Sequence, residues 1–255
     1  MNWEIAYDNH IGGREEQQDR IATFSTPDNQ QHLLVAADGM GGHQGGSLAS
    51  EMVIKTAELA WQEFRHEDIP QFLQNIIEQA HENINNIGKK YNISPRSTCV
   101  LAYIKDQYIW WAYLGDSRLY HFRGTKLLER TKDHSIVQLL HDLGRIKEED
   151  MATHPDQGSL LKGLGGEDED IEADFGEAKL HPGDSIVLCT DGFWEHITTE
   201  QLATSLQQTN KPLKQRIQQL VKKALKNGGA EGDNISIIAA QSQKKGFFAT
   251  LASWY

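Results

Sequence analysis

Residues 33–46 read LLVAADGMGGHQGG. The apolar run at the start is typical of a buried strand, and it ends at Asp38. Glycine loses more backbone freedom on folding than any other residue, so a loop this rich in glycine is costly to order. A carboxylate delivered into such a loop indicates that the loop holds something. The residues after Asp38 include His43 and five glycines, Gly39, Gly41, Gly42, Gly45 and Gly46.

Composition restricts the class of protein. With 255 residues, 38% of them hydrophobic, the chain can bury an ample core. A formal net charge of −11 argues against nucleic acid as the partner. No apolar run is long enough for a membrane span, and the N-terminus lacks the pattern of a secretory signal. The two cysteines, Cys99 and Cys189, lie in apolar runs, which favours small buried side chains in a reducing cytoplasm over a zinc site or a nucleophile.

The order of elements predicts sheets packed together with helices outside. Short β-like runs come first, and helical periodicity follows over 48–64 and 72–87. Four β-like runs then succeed one another between 97 and 130. Their connections, including Gly115-Asp116-Ser117, are too short for a parallel crossover, so we expect antiparallel hairpins.

The second half of the chain departs from the sheet and then returns to it. Residues 131–175 offer a short helix, glycines and a dense acidic run, which predicts an excursion from the sheet. Order resumes with the strand DSIVLCT, helices around 199–207 and 213–226, and the strand NISIIAA. No repeat or linker interrupts the chain, so we expect one domain.

Four aspartates stand beside a glycine at the ends of the most apolar runs, and a fifth precedes the run IATFS. Aspartate and glycine are common turn residues, which explains any one of these sites without a function. Together, however, buried carboxylates at neighbouring sheet ends would repel one another, and a divalent cation would compensate. The four are Asp38, Asp116, Asp191 and Asp233, and the fifth is Asp19.

The donor type selects the metal. All candidate ligands are oxygen atoms, which favours Mg²⁺ or Mn²⁺ over zinc or copper. Several carboxylates allow two ions to share one bridging aspartate and to clamp a phosphoryl group. Anion-binding glycine motifs do not fit, because a dinucleotide fingerprint needs glycine where Gln44 stands and no P-loop lysine follows.

With these aspartates assembled, the sequence resembles the metal-dependent protein phosphatase family, the protein phosphatase 2C type, in its compact bacterial form. Six stretches carry the resemblance in the family's order and span nearly the whole chain. Each stretch is weakly specific alone, and the six together are a strong match. They are GGREEQQDR, VAADGMGGHQGG, LGDSRLY, DHSIVQLLHDLGRI, CTDGFWEHIT and GDNISIIAA.

The resemblance implies an α+β fold, a central β-sandwich of two antiparallel sheets flanked by helix pairs. It also implies a dinuclear Mn²⁺ or Mg²⁺ site at one end and a flap beside it, at about 131–175. By the same resemblance Asp38 bridges both metals as a catalytic residue and the Gly39 carbonyl binds one of them. The family's remaining metal positions match Asp19, Asp191 and Asp233, with Asp116 at the position of a third, weaker ion.

Two further residues receive catalytic roles from the resemblance. Arg14 matches the arginine that grips the substrate phosphate, a task that suits a bidentate guanidinium. A solvated surface arginine is the alternative. His43 matches a loop histidine that can act as an acid toward the leaving oxygen, and an ordinary polar loop histidine is the alternative. We expect Asp133, His134 and His154, in the flap, to be structural.

The implied activity is Mn²⁺- or Mg²⁺-dependent hydrolysis of phosphoserine and phosphothreonine in proteins, by direct attack of a metal-bound hydroxide. The expected partners are phosphorylated proteins and a cognate bacterial Ser/Thr kinase, and the expected state is a cytoplasmic monomer. A catalytically silent metal-binding regulatory module, or another two-metal phosphoester hydrolase such as a nuclease, is the alternative. The catalytic domain is predicted over 1–243 and an aromatic tail over 244–255. Phe193-Trp194-Glu195 is similar to the family branch associated with type VI secretion.

Overall fold

The structure is a computed structural model that describes residues 1–41, 45–63, 68–166 and 171–243. Elements are numbered in chain order. The strands are β1 (Trp3–His10), β2 (Asp19–Ser25), β3 (Gln31–Met40), β4 (Arg96–Ser97), β5 (Cys99–Lys105), β6 (Tyr108–Leu114), β7 (Arg118–Arg123), β8 (Lys126–Arg130), β9 (Asp174–Lys179), β10 (Asp184–Cys189) and β11 (Ile235–Ser242). The helices are α1 (Gly45–Glu63), α2 (Ile69–Tyr91), α3 (Ile136–Asp142), α4 (Asp191–Trp194), α5 (Thr199–Leu206) and α6 (Leu213–Gly228).

The strands form two sheets in which every described pair is antiparallel. The first sheet has the order β1-β11-β10-β7-β8, and the second has the order β2-β3-β5-β6-β9, with β4 paired to β3. Helices α1 and α2 pack against the second sheet, and α4 to α6 pack against the first. The predicted α+β sandwich of two antiparallel sheets with helices outside is confirmed.

The two central strands β3 and β10 are buried on both faces. In β3, Leu33 and Val35 face α1 and α2, whereas Leu34 and Ala36 face the other sheet. Side chains alternate between the faces of a strand, so a strand between two apolar layers reads as a continuous apolar run. This double burial is why residues 33–37, before Asp38, are all apolar.

One expectation about the strands is wrong, and one strand was not predicted. Strands β6 and β7 do not form a hairpin, because β6 lies in the second sheet and β7 in the first. The connection at Gly115, which has a φ of +98°, carries the chain from one sheet to the other. Strand β9 was not expected at all. It is an edge strand whose residues are exposed or half-buried, so it lacks the apolar alternation that marks a strand.

The helices follow their predicted positions. Asp68 caps α2 by accepting a hydrogen bond from the Gln71 N–H at 3.0 Å, and Asn92 ends it in the left-handed conformation. Helix α1 is described to Glu63, so Phe64, at the end of the predicted pattern, lies outside the described residues. Within the described ranges no helix is both long and apolar enough to cross a membrane.

The predicted division into a domain over 1–243 and a tail over 244–255 stays a prediction, and the tail lies outside the described residues. Of the segment predicted as the flap, residues 131–166 and 171–173 join β8 to β9. Single bridges from Ser135 to Leu160 and from Ser97 to Leu164 tie this segment to itself and to β4.

Candidate functional site

The fold brings the strand-end aspartates to one end of the sandwich. Asp19 and Asp38 are register partners across β2 and β3. Asp191 follows β10, Asp233 precedes β11, and these two strands are neighbours in the first sheet. Asp116 lies where the chain crosses from the second sheet to the first. Five carboxylates from five separate chain segments therefore converge.

Burial and mutual repulsion govern the charge state of this cluster. Burial raises the pKa of Asp38 well above its ordinary value, and the nearby charges of Asp191 and Asp19 raise it further. The pKa of Asp116 is also raised well above its ordinary value, first by burial and then by Asp191. Burial together with neighbouring carboxylates raises the pKa of Asp19 to about 7 and that of Asp191 to about 6. The cluster is therefore short of positive charge.

Asp19 shows the shortage directly. The Thr190 hydroxyl donates to Asp19 Oδ2 at 2.8 Å, whereas Oδ1 is buried and has no hydrogen-bond partner among the described residues. An unpartnered buried carboxylate oxygen is costly unless something compensates it. The oxygen donors of this cluster suit Mg²⁺ or Mn²⁺, so the residues present fit such an ion.

Gly39 lies where no other residue would fit. A Cβ there would stand 1.9 Å from the Gly46 carbonyl oxygen, at the start of α1. A Cβ at Gly46 would in turn stand 2.5 Å from the Gly39 carbonyl oxygen. The two glycines let the end of β3 and the start of α1 approach each other closely, and the Gly39 backbone lines the cleft beside Asp38.

Arg14 meets the cluster at Asp233. Its Nη2 lies 2.7 Å from Asp233 Oδ2, and its side chain is 58% exposed. Asp233 Oδ1 accepts the Asn234 N–H at 2.7 Å, so both oxygens of this carboxylate are engaged within the chain. In the described ranges, no three His, Cys, Asp or Glu side chains already stand in an arrangement that could hold an ion. The cluster therefore has the donors for an ion but is not closed around one.

The carboxylates open into a cleft of about 750 Å³. The flap contributes one wall, where Gln157, Gly158 and Ser159 line the cleft. The Gln157 Nε2 lies 3.5 Å from Asp191 Oδ2, so the flap reaches the carboxylates themselves. Residues 13–16, which include Arg14, also line the cleft.

A buried ion pair and a tryptophan hold the backbone at Asp116 in place. Arg118 donates to both oxygens of Asp133, at 2.8 and 2.6 Å, and its guanidinium lies 3.5 Å from the centre of the Trp194 ring. The Trp194 Nε1 donates to the Asp116 carbonyl at 2.9 Å. Asp133 thus has structural contacts, as expected, and links the flap to Asp116 and α4. The flap histidines also have hydrogen bonds within the chain, since His134 Nδ1 accepts the Gly115 N–H and His154 Nδ1 accepts the Asp156 N–H, each at 3.1 Å.

Sequence reasoning missed the parts played by Asn234 and Glu195. The Asn234 side chain accepts the Gln18 N–H at 2.7 Å and donates to the Ile11 carbonyl at 2.7 Å, so it fixes the loop that carries Arg14. Burial, then the charges of Asp191 and Asp233, raise the pKa of Glu195 to about 8. Glu195 is four residues after Asp191, a spacing that places both side chains on one helical face and could have identified it. His43 lies outside the described residues.

Comparisons with known proteins agree with this architecture. The profile of the family described as Protein phosphatase 2C matches residues 8–227. A serine/threonine phosphatase, stp, of Listeria monocytogenes serotype 4b (strain F2365) is 29% identical over 239 residues, covering 91% of this chain and 94% of that protein. The solved serine/threonine phosphatase of S. agalactiae is 30% identical, with a TM-score of 0.84 over 94% of this chain and all of that one.

A further solved structure is the catalytic domain of the serine/threonine protein phosphatase PstP in complex with two manganese ions. It has a TM-score of 0.81, covers 95% of this chain and 99% of that one, and at 24% identity shows likeness of fold alone. The resemblance to the family is confirmed, whereas the branch associated with type VI secretion stays a prediction. The family profile matches well over half of this chain. The chain therefore belongs to the protein phosphatase 2C family and is a protein phosphatase.

Proposed function

We propose that this chain hydrolyses phosphoserine and phosphothreonine in proteins, with Mn²⁺ or Mg²⁺ bound at the carboxylate cluster. The observation that carries the proposal is the convergence of Arg14 and four aspartates on one cleft, beside a buried Asp19 oxygen that has no hydrogen-bond partner among the described residues. The four are Asp38, Asp116, Asp191 and Asp233. Dependence on a metal ion, without regard to which ion, follows from membership of the family. The number of ions, two with a third and weaker one at Asp116, is part of the proposal.

The proposed ligands are Asp19, Asp38, Asp191, Asp233 and the Gly39 carbonyl, with Asp38 shared between two ions. A divalent ion there would neutralise phosphoryl charge and lower the pKa of a coordinated water, which is the chemistry that phosphoester hydrolysis needs. The chain offers no cysteine for a covalent intermediate at the cleft, because Cys99 and Cys189 are buried in the strands. On the resemblance to the family, water is the proposed nucleophile, and it attacks phosphorus directly.

Arg14 is proposed to bind and orient the substrate phosphate. Its side chain is exposed in the cleft and pairs with Asp233. The guanidinium can therefore exchange Asp233 for a phosphate oxygen. Gln157 and Ser159 on the flap would contact whatever surrounds the phosphorylated residue. His43 is proposed as the acid toward the leaving oxygen, on the resemblance alone.

The relatives named above as serine/threonine phosphatases support the substrate class. A cognate Ser/Thr kinase as the opposing enzyme, a monomeric state and a cytoplasmic location remain predictions. A nuclease-like activity has less support, because the lining of the described cleft offers one arginine and six carboxylates to a phosphate backbone.

The test compares phosphoserine and phosphothreonine peptides with a single-stranded oligonucleotide, each with Mn²⁺, with Mg²⁺ and with chelator. We expect hydrolysis of the peptides only, lost with chelator and restored by metal. Arg14→Met should lower kcat/KM about 100-fold through loss of a charged hydrogen-bond pair, while the matched variant Arg145→Met, outside the cleft, should match wild type. Turnover with chelator, or cleavage of the oligonucleotide instead, would refute the proposal.

A further inference from the structure

A second polar cavity lies at the opposite end of the first sheet from the carboxylate cluster. It measures about 540 Å³, within the roughly 300–1,000 Å³ typical of small-molecule sites. It opens where β1 begins and β11 ends, so the eight residues of β11, roughly 25 Å of strand, separate it from Asp233. Its lining includes Glu4, Gln207, Asn210, Lys211, Arg216 and Gln243.

Arg216 in the wall of this cavity is a buried cation whose described hydrogen bonds go to neutral oxygens. It is 2% exposed, and its Nη1 and Nη2 donate to neutral oxygens, the Leu206 carbonyl at 2.5 Å and Gln241 Oε1 at 2.9 Å. No described carboxylate forms an ion pair with it, and its buried Nε has no hydrogen-bond partner among the described residues. Burial lowers the pKa of Arg216, and the charge of Glu4 in the same cavity opposes that effect without forming an ion pair, so the guanidinium charge is compensated only in part.

The surroundings of Arg216 add positive charge to an acidic protein. Residues 201–230 contain six lysines and arginines and no aspartate or glutamate, although the whole chain carries a formal charge of −11. Lys211 from this segment lines the cavity and donates to Gln219 Oε1 at 3.1 Å. The one carboxylate that lines the cavity is Glu4, and its Oε1 accepts the Leu213 N–H at the start of α6, at 2.9 Å.

We propose that this cavity binds a small organic anion through its phosphate or carboxylate group, with Arg216 and Lys211 as the charged contacts. Amide side chains of Gln207, Asn210 and Gln243 on the wall supply hydrogen-bonding groups for the rest of the ligand. Arg216 also donates to the Leu206 carbonyl at the end of α5, which is a neutral acceptor. The cavity lining therefore carries two cations, Arg216 and Lys211, against the one carboxylate of Glu4. The site is independent of the proposed phosphatase reaction.

The experiment is a titration of the ¹⁵N-labelled full chain, with Mg²⁺ present, by inorganic phosphate, by succinate and by uncharged glucose. Side-chain amide signals of Gln207, Asn210 and Gln243 report on the cavity, and those of Gln157 report on the cleft. We expect phosphate, succinate or both to shift the three cavity signals in a saturable way, and glucose to leave them unchanged. Phosphate against succinate decides which anionic group the site prefers.

Lys211→Ala should raise the apparent Kd about 10-fold, which is the effect of losing one charged hydrogen bond. Lys223→Ala, which removes the same charge from an exposed part of α6 outside the cavity, should stay within twofold of wild type. Arg216→Met should abolish the shifts, and if it does not fold, the lysine pair still decides. Unshifted cavity amides, or equal affinity in the two lysine variants, would overturn the proposal. Loss of phosphatase activity would leave these readings unaffected.

Discussion

Asp184 begins β10, and Asp191 follows the end of the same strand by two residues, so one short strand separates two buried carboxylates. At Asp184 the chain supplies every partner. Arg123 donates to both oxygens at 2.9 and 3.0 Å, the His181 N–H donates at 2.9 Å, and the His121 Nε2 lies 2.9 Å from Oδ2. Burial alone would raise the pKa of Asp184, but hydrogen bonds from Arg123 and His121 outweigh it and lower the pKa.

At Asp191 the chain supplies further carboxylates instead. Burial and the charge of Asp233 raise the pKa of Asp191 to about 6, and Asp19 nearby keeps an oxygen without a partner in the described structure. Asp184 at the start of β10 and Asp191 at the start of α4 are both buried, so burial alone does not explain the difference. A complete carboxylate network is typical of a structural role, and an incomplete one is typical of a binding site.

The largest effect that tests this difference is expected at Asp38. Asp38→Asn keeps the shape and removes one charge, and it should lower kcat/KM about 1,000-fold or more, since a lost ligand forfeits several kcal/mol of charge stabilisation. The same change relieves repulsion from Asp19 and Asp191, so the metal-free variant should melt above metal-free wild type. Steady-state kinetics and calorimetry with chelator measure the two effects. Retained activity, or a lower melting temperature without metal, would contradict the assignment.

The next effect is expected at Asp184, with the opposite pattern. Asp184→Ala leaves Arg123 and His121 without their shared acceptor and should lower the free energy of unfolding by about 3 kcal/mol. The figure lies at the low end for a buried pair because the Arg123 side chain is 43% exposed. Urea denaturation measures it, and kcat/KM of the folded variant should equal wild type. A stable variant with impaired turnover would show that the two ends of β10 are not separable.

Much of the fold was predictable because β3 and β10 are buried on both faces. Double burial produces unbroken apolar runs, and their ends mark where aspartates must emerge from the core. The crossing from β6 to β7 was not predictable, since Gly115-Asp116-Ser117 has the composition of a hairpin turn. Strand β9 was not predictable because Gly176 interrupts its sequence pattern. Glycine is needed there, since a Cβ at that position would stand 2.2 Å from the Trp111 side chain.

The site was predictable to the extent that each residue carries a local signal. Asp38, Asp116, Asp191 and Asp233 each stand beside glycine at a strand end, and the structure brings them together. Gln157 carries no such signal, because only the path of the flap places it against Asp191. The pairing of Arg14 with Asp233 also depends on contact across 219 residues of chain, which no local pattern encodes.

The smallest effect, and the one that compares both ends of β10 in a single experiment, is the dependence of stability on pH. In the metal-free protein the pKa of Asp191 is raised to about 6 and that of its neighbour Asp19 to about 7, so the folded state holds protons that the unfolded state releases above about pH 4. Stability should therefore fall as pH rises from about 4 to 7. Asp184, with its lowered pKa, stabilises the fold above about pH 4, and this stability is lost as pH falls through the folded pKa.

Urea unfolding at several pH values, with chelator or with saturating Mg²⁺, separates the two contributions. With chelator we expect the free energy of unfolding to drop on the order of 1–2 kcal/mol between pH 5 and pH 7, because the coupled carboxylates share their protons. Mg²⁺ should remove that drop, since the ion compensates the charge that protons compensated before. Asp184→Asn should make the acid side shallower and leave the drop above pH 5 intact. A drop that persists with Mg²⁺ would place the missing positive charge somewhere other than the carboxylate cluster.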